Sequence, residues 1–97
     1  MPAAPSNAQA IDKKFSAPVI KENNSGWICV IVPESGDFFG TRKPVKIAGT
    51  VDGHEFQATL LPMGDGTHML PLKAALRKTL KKDQGDSVDV HLNQRLS

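Results

Sequence analysis

Ninety-seven residues, 39% hydrophobic and 23% charged, fit one small soluble globular domain and exclude a disordered or membrane-dominated chain. A formal net charge of +2 is too small to argue a nucleic-acid partner by itself. The single cysteine, Cys29, excludes an internal disulfide; set in an apolar run, it reads as a small buried hydrophobe in a reducing compartment.

Residues 1–11 are rich in Pro, Ala, Ser and Asn, have no basic or leucine-rich stretch, and read as a disordered tail, not a signal peptide. No segment approaches the roughly 18 apolar residues of a membrane span, so a cytoplasmic protein is expected. The folded domain is expected over 12–95. Its first strand is expected over 13–20, where Phe15, Ala17 and Val19 alternate with Lys14, Ser16 and Pro18. Pro18 cannot donate to a ladder and implies an edge or a bulge.

Residues 27–32 form a continuous apolar run beginning at Trp27, which predicts a strand buried on both faces. A long connection over 34–44 follows, with Phe38 and Phe39 as plugs for the end of a barrel. The strands 45–51 and 54–61 flank Asp52-Gly53, a type I′ hairpin signal. A two-residue turn sets the register: Val51 faces His54, Gly49 faces Phe56, Ile47 faces Ala58 and Val45 faces Leu60. The Phe56 ring can then cover the bare backbone of Gly49. A short strand is expected over 67–70 and one helix over about 71–82, with Pro71 in its first turn and Leu72, Ala75, Leu76, Thr79 and Leu80 on one face. Residues 87–92 alternate as a last strand. These elements predict an all-β fold, a small antiparallel β-barrel or pseudobarrel of five to seven strands with one short helix.

Several motifs occur in order: Trp27 with its apolar run, the hairpin at 45–53, the stretch from Leu61 through Gly64-Asp65-Gly66 to Pro71, Leu76-Arg77-Lys78, and Gly85-Asp86 before Val88 and Val90. Together, over about residues 13–93, they resemble a bacterial family known as domain of unknown function 1905. The family's fold is similar to the double-split pseudobarrel of transition-state regulators and antitoxins, which bind DNA as dimers. The resemblance implies a fold and attaches no activity. The chain lacks the arginine-rich N-terminal face those regulators use on DNA.

Candidate chemistry gathers at 60–76. Gly64, Asp65 and Gly66 can form a backbone nest for an anion. His68 is either a ligand-facing group or a structural hydrogen-bonding histidine. Arg42 and Arg77 can clamp a carboxylate or phosphate, and Trp27 completes the candidate ligand-binding set. No metal-ligand spacing, no cofactor fingerprint and no placed nucleophile or acid–base pair occurs, so no catalytic residue, cofactor or metal is assigned and an enzyme is not expected. The expected function is a non-catalytic ligand-binding or interaction module using the 64–68 loop and the following helix N-terminus, with a small anion or a protein as partner. The alternative is a DNA-binding regulator using Lys73, Lys78, Lys81 and Lys82, a less favoured partner because no aromatic residues interleave for stacking.

Overall fold

A computed structural model describes residues 9–96. Most of the tail expected over 1–11 lies outside these residues. Seven strands and two short helices follow in the order β1 (Gln9–Pro18), β2 (Ile20–Lys21), β3 (Ile28–Val32), α1 (Ser35–Phe39), β4 (Val45–Val51), β5 (His54–Pro62), β6 (His68–Pro71), α2 (Ala74–Leu80) and β7 (Ser87–Arg95). The strands make one antiparallel sheet ordered β1-β7-β4-β5-β6-β3-β2. The expected all-β barrel-like fold is therefore correct.

The two edges of this sheet are pieces of one bent strand. β1 pairs with β7 as far as Pro18, and β2 pairs with β3 from Ile20. Between them the buried Val19 donates its N–H to the Asp86 carbonyl at 2.7 Å and accepts the Gly85 N–H at 2.9 Å. Pro18, which has no N–H, stands where the chain leaves one partner for the other. The sheet curls because the same segment must serve both ends.

The central hairpin forms in the expected register from Val51↔His54 to Val45↔Leu60. Asp52 and Gly53 both take positive φ, 49° and 84°, as a type I′ turn requires. Gly49 lies opposite Phe56, but a second constraint dominates there. The β4–β7 register shifts between Ala48 and Gly49, and a Cβ on Gly49 would stand 2.0 Å from the His91 carbonyl oxygen.

The inner faces of these strands form one core. Ile47, Leu60, Leu70 and Leu92 are fully buried, each worth about 1.5–3 kcal/mol relative to exposure. Phe39 closes one end of this core, and Leu76 and Leu80 of α2 pack against it. Cys29 is buried, and burial first, then the Glu22 charge, push its thiol pKa up, which makes it inert.

Four expectations need correction. β1 begins at Gln9, ahead of residue 13. The connection over 34–44 contains α1, so there are two helices, and Phe38 is exposed while only Phe39 plugs the core. Trp27 precedes β3 and is 48% exposed. Pro71 ends β6, pairing with Cys29, and the second helix begins only at Ala74. The strand wins at Pro71 because its missing N–H points away from β3, so the β3 ladder loses nothing.

Candidate functional site

The loop between β5 and β6 is closed by its own groups. The Met63 N–H donates to the Thr67 carbonyl at 3.0 Å. The Asp65 carboxylate accepts the Thr67 N–H at 2.9 Å and the Thr67 hydroxyl. Gly64 and Gly66 supply the positive φ, 86° and 92°, that the turn demands. The Thr67 hydroxyl bond first, then the Thr67 N–H and the nearby Arg42 charge, hold Asp65 below the usual carboxylate pKa. Asp65 is thus the acceptor that organises the loop, and its negative charge occupies the place an anion would need. The Gly36 N–H of α1 donates to the Gly66 carbonyl at 2.8 Å, locking α1 against this loop. Arg42 lies beside Gly66, and with Thr41 and Asp37 they line a shallow cleft of about 330 Å³.

His68 points the other way, into the protein. It is 0% exposed, as is Ser35. Its Nε2 lies 2.9 Å from the Lys43 carbonyl oxygen, which can only accept, so Nε2 carries the proton. Nδ1 is then the acceptor for the Ser35 hydroxyl at 2.8 Å. Both ring nitrogens are satisfied by protein, which is the structural role of the two readings the sequence left open. Ser35 and the Lys43 carbonyl were not expected there; the signal was a serine after a strand-ending proline, too common to single out.

The helix and its cations are also committed largely to structure. α2 has seven residues, with Lys73 preceding it and no side-chain cap. Arg77 donates Nε–H to the Leu72 carbonyl and Nη1 to Asp83, both at 3.2 Å, tying the two ends of the helix together. Lys82 donates to Asp52 and to the Ser87 carbonyl, both at 2.7 Å. The Asp52 contact is the main cause that raises the Lys82 pKa. Lys73, Lys78 and Lys81 are exposed, while Asp83 and Asp86 share the cleft that α2 makes with Lys78, Lys81 and Lys82. The face is of mixed sign. Among the described residues no three His, Cys, Asp or Glu gather as metal ligands.

Trp27 lies elsewhere, on an open groove of about 500 Å³. The groove follows from strand register. In a two-residue hairpin Val51 and His54 exchange both hydrogen bonds, so Phe56, Ala58 and Leu60 also bond to β4. Glu55, Gln57, Thr59 and Leu61 then turn their N–H and C=O groups to the other side. Leu61 meets Met69 of β6 there. The next residue on the same side of β6 is Pro71, which has no N–H to give Thr59, and the ladder stops. Beyond this point the Thr59 carbonyl lacks the N–H that Pro71 cannot give, and Glu55 and Gln57 have no main-chain partner on that side among the described residues.

The far bank follows from the β3–β6 register. Cys29 pairs with Pro71, and the Leu72 N–H donates to the Ile28 carbonyl at 2.9 Å, so Trp27 falls opposite Lys73. Lys46, which pairs with Thr59 on the near bank, brings a second cation. The lining mixes Trp27, Leu61, Pro71 and Ala58 with these two lysines and, among the described residues, contains no acid. The sequence candidates therefore separate into four places: Gly64, Asp65, Gly66 and Arg42 by α1; His68 in the core; Arg77 and Lys78 on α2 with Lys81 and Lys82 just after it; Trp27 and Lys73 on the groove. Gln57, Thr59, Leu61 and Lys46 were not anticipated. The adjacent leucines at 60 and 61 were the available signal, because in a strand one of the two must face outward.

No curated protein matches the chain. A family model does, over residues 15–92, from the bend strand through the last strand. That match spans every element described above except the two strand ends, and by it the chain belongs to the family Domain of unknown function (DUF1905).

Proposed function

We propose that this bacterial, cytoplasmic domain is a non-catalytic binding module, and that its receiving surface is the groove between β5 and Trp27. The split at Pro71 and the bend at Val19 are in keeping with a double-split barrel. One observation carries the reading: an exposed tryptophan stands over an apolar groove whose only charged lining groups among the described residues are Lys46 and Lys73. Large exposed apolar residues beside a concave surface are typical of binding sites. The matching ligand is apolar along its length and carries an anionic group. The 64–68 loop and the N-terminus of α2 take a supporting part, the first by bracing α1 and the second by placing Lys73.

Trp27 is the sole tryptophan, so its fluorescence reports this groove alone. Octanoate should shift its emission saturably, whereas octylammonium, of equal apolar length and opposite charge, should not. Lys73→Glu should abolish the preference. Equal responses to the two probes, or no response to either, would remove the reading.

A further inference from the structure

We propose that the split receives an extended, acidic segment of a partner protein, which joins the sheet as a strand against β5; this rests on the binding-module reading above. The main-chain groups of Glu55 and Gln57, with the Thr59 carbonyl, present the spacing of a strand edge with no partner among the described residues. Sheet edges of this kind are usually blunted by charge, proline or a covering loop, because they pair readily with a foreign strand. Here the proline lies on the opposite bank, at Pro71, where it opens the split instead of blocking β5. Edge pairing supplies affinity through main-chain bonds, and side-chain pockets supply selectivity.

The lining defines the side chains that fit. Residues at alternate positions of the incoming strand face Trp27 and Leu61, which favours apolar groups. Lys73 stands on one bank with no acid among the described lining residues, which favours a carboxylate beside it. Glu55 lies at the hairpin end of the same edge, outside this lining, and opposes a carboxylate there. The acidic residue of the partner therefore sits at the Thr59 end. A free amphipathic anion satisfies Lys73 and the apolar wall but leaves the edge unpaired.

The test uses the full chain and four capped peptides of about eight residues. The first alternates valine with threonine and carries two glutamates; the second has lysine in their place; the third and fourth are the first peptide N-methylated at alternate positions, one in each of the two registers. The glutamate peptide should shift Trp27 emission saturably and slow amide exchange at Gln57 at least about tenfold. The lysine peptide, and the glutamate peptide on Lys73→Glu, should bind roughly tenfold more weakly, as reversal of one exposed ion pair predicts. The N-methylated peptides should lose binding in at least one of the two registers. If both registers bind as the parent does, or if octanoate alone moves Trp27, strand addition is wrong and the binding-module reading stands. If neither the peptides nor octanoate move Trp27, both fall. If Gln57 becomes protected merely as protein concentration rises, a second copy fills the edge and the peptide proposal is overturned.

Discussion

Replacing Ser35 with alanine tests the buried pair that fixes α1 to β6. The hydroxyl is the donor to Nδ1 of a histidine that is 0% exposed, and no water reaches the vacated position without opening the core. The lost oxygen is small, so cavity cost is minor and the orphaned acceptor dominates, at about 1–3 kcal/mol. His68→Phe keeps the ring volume and orphans the Ser35 hydroxyl at a similar cost; the Lys43 carbonyl, at the edge of an exposed residue, can rehydrate. In the double variant neither orphan remains, so its cost should fall below the sum of the singles by about 1–2 kcal/mol. Total stability for a chain of this size is roughly 5–15 kcal/mol, so each single change is large. Urea denaturation with an unchanged m-value should read it, together with a fall in Tm of roughly 8–16 °C for a loss of about 2 kcal/mol. Ser35→Ala costing under about 0.5 kcal/mol, or strictly additive singles, would refute the buried hydrogen bond.

Gly49→Ala should cost the upper part of the roughly 1–3 kcal/mol seen for overpacking, because the clashing atoms at His91 and Leu92 are backbone; Gly49→Ala unfolding at the parent urea midpoint would show that β7 does not approach there. Asp52 accepts the Asp89 N–H and the Lys82 ammonium, and these outweigh the opposing effect of burial to hold its pKa below 3.8. Its contribution is thus present above that value and lost as pH falls below it, so Asp52→Asn should be less stable near neutrality and show a shallower acid loss by circular dichroism. Asp65→Ala should lower stability by opening the loop, whereas Asp65→Asn should keep the Thr67 bonds; a phosphate titration of both should show no gain in affinity, and a clear gain in Asp65→Asn would restore the anion-nest reading. Duplex DNA should give no salt-dependent shifts at Lys73, Lys78 and Lys81, since counterion release makes true phosphate contacts steeply salt-sensitive.

The hairpin was legible to the residue, because Asp52-Gly53 fixes the turn type and the turn type fixes the register. The strands around it were legible from alternation. α1 was not: five residues carry no period, and the helix depends on a left-handed Glu34, a left-handed Gly40 and the Gly36 bond to Gly66, a contact across the fold. Residues adjacent in sequence also separate by face. Asp65 and His68 looked like one constellation, yet the first organises an exposed turn and the second is buried three residues later. Conversely Trp27 and Lys73 are far apart in sequence and meet only through the β3–β6 register. Pro71 was read as a helix starter; it is instead the reason β5 has an open edge, which appears only once its neighbour on each side is known.

The open edge of β5 is the claim on which the binding surface depends, and amide hydrogen exchange in the free protein measures it directly. Phe56, Ala58 and Leu60, bonded to β4, should exchange slowly, while Glu55 and Gln57, which alternate with them, should exchange at rates near those of exposed loops. Alternating protection along the strand is the predicted result. Equal protection at all five amides in the dilute monomer would mean that the edge already has a partner and would contradict the account.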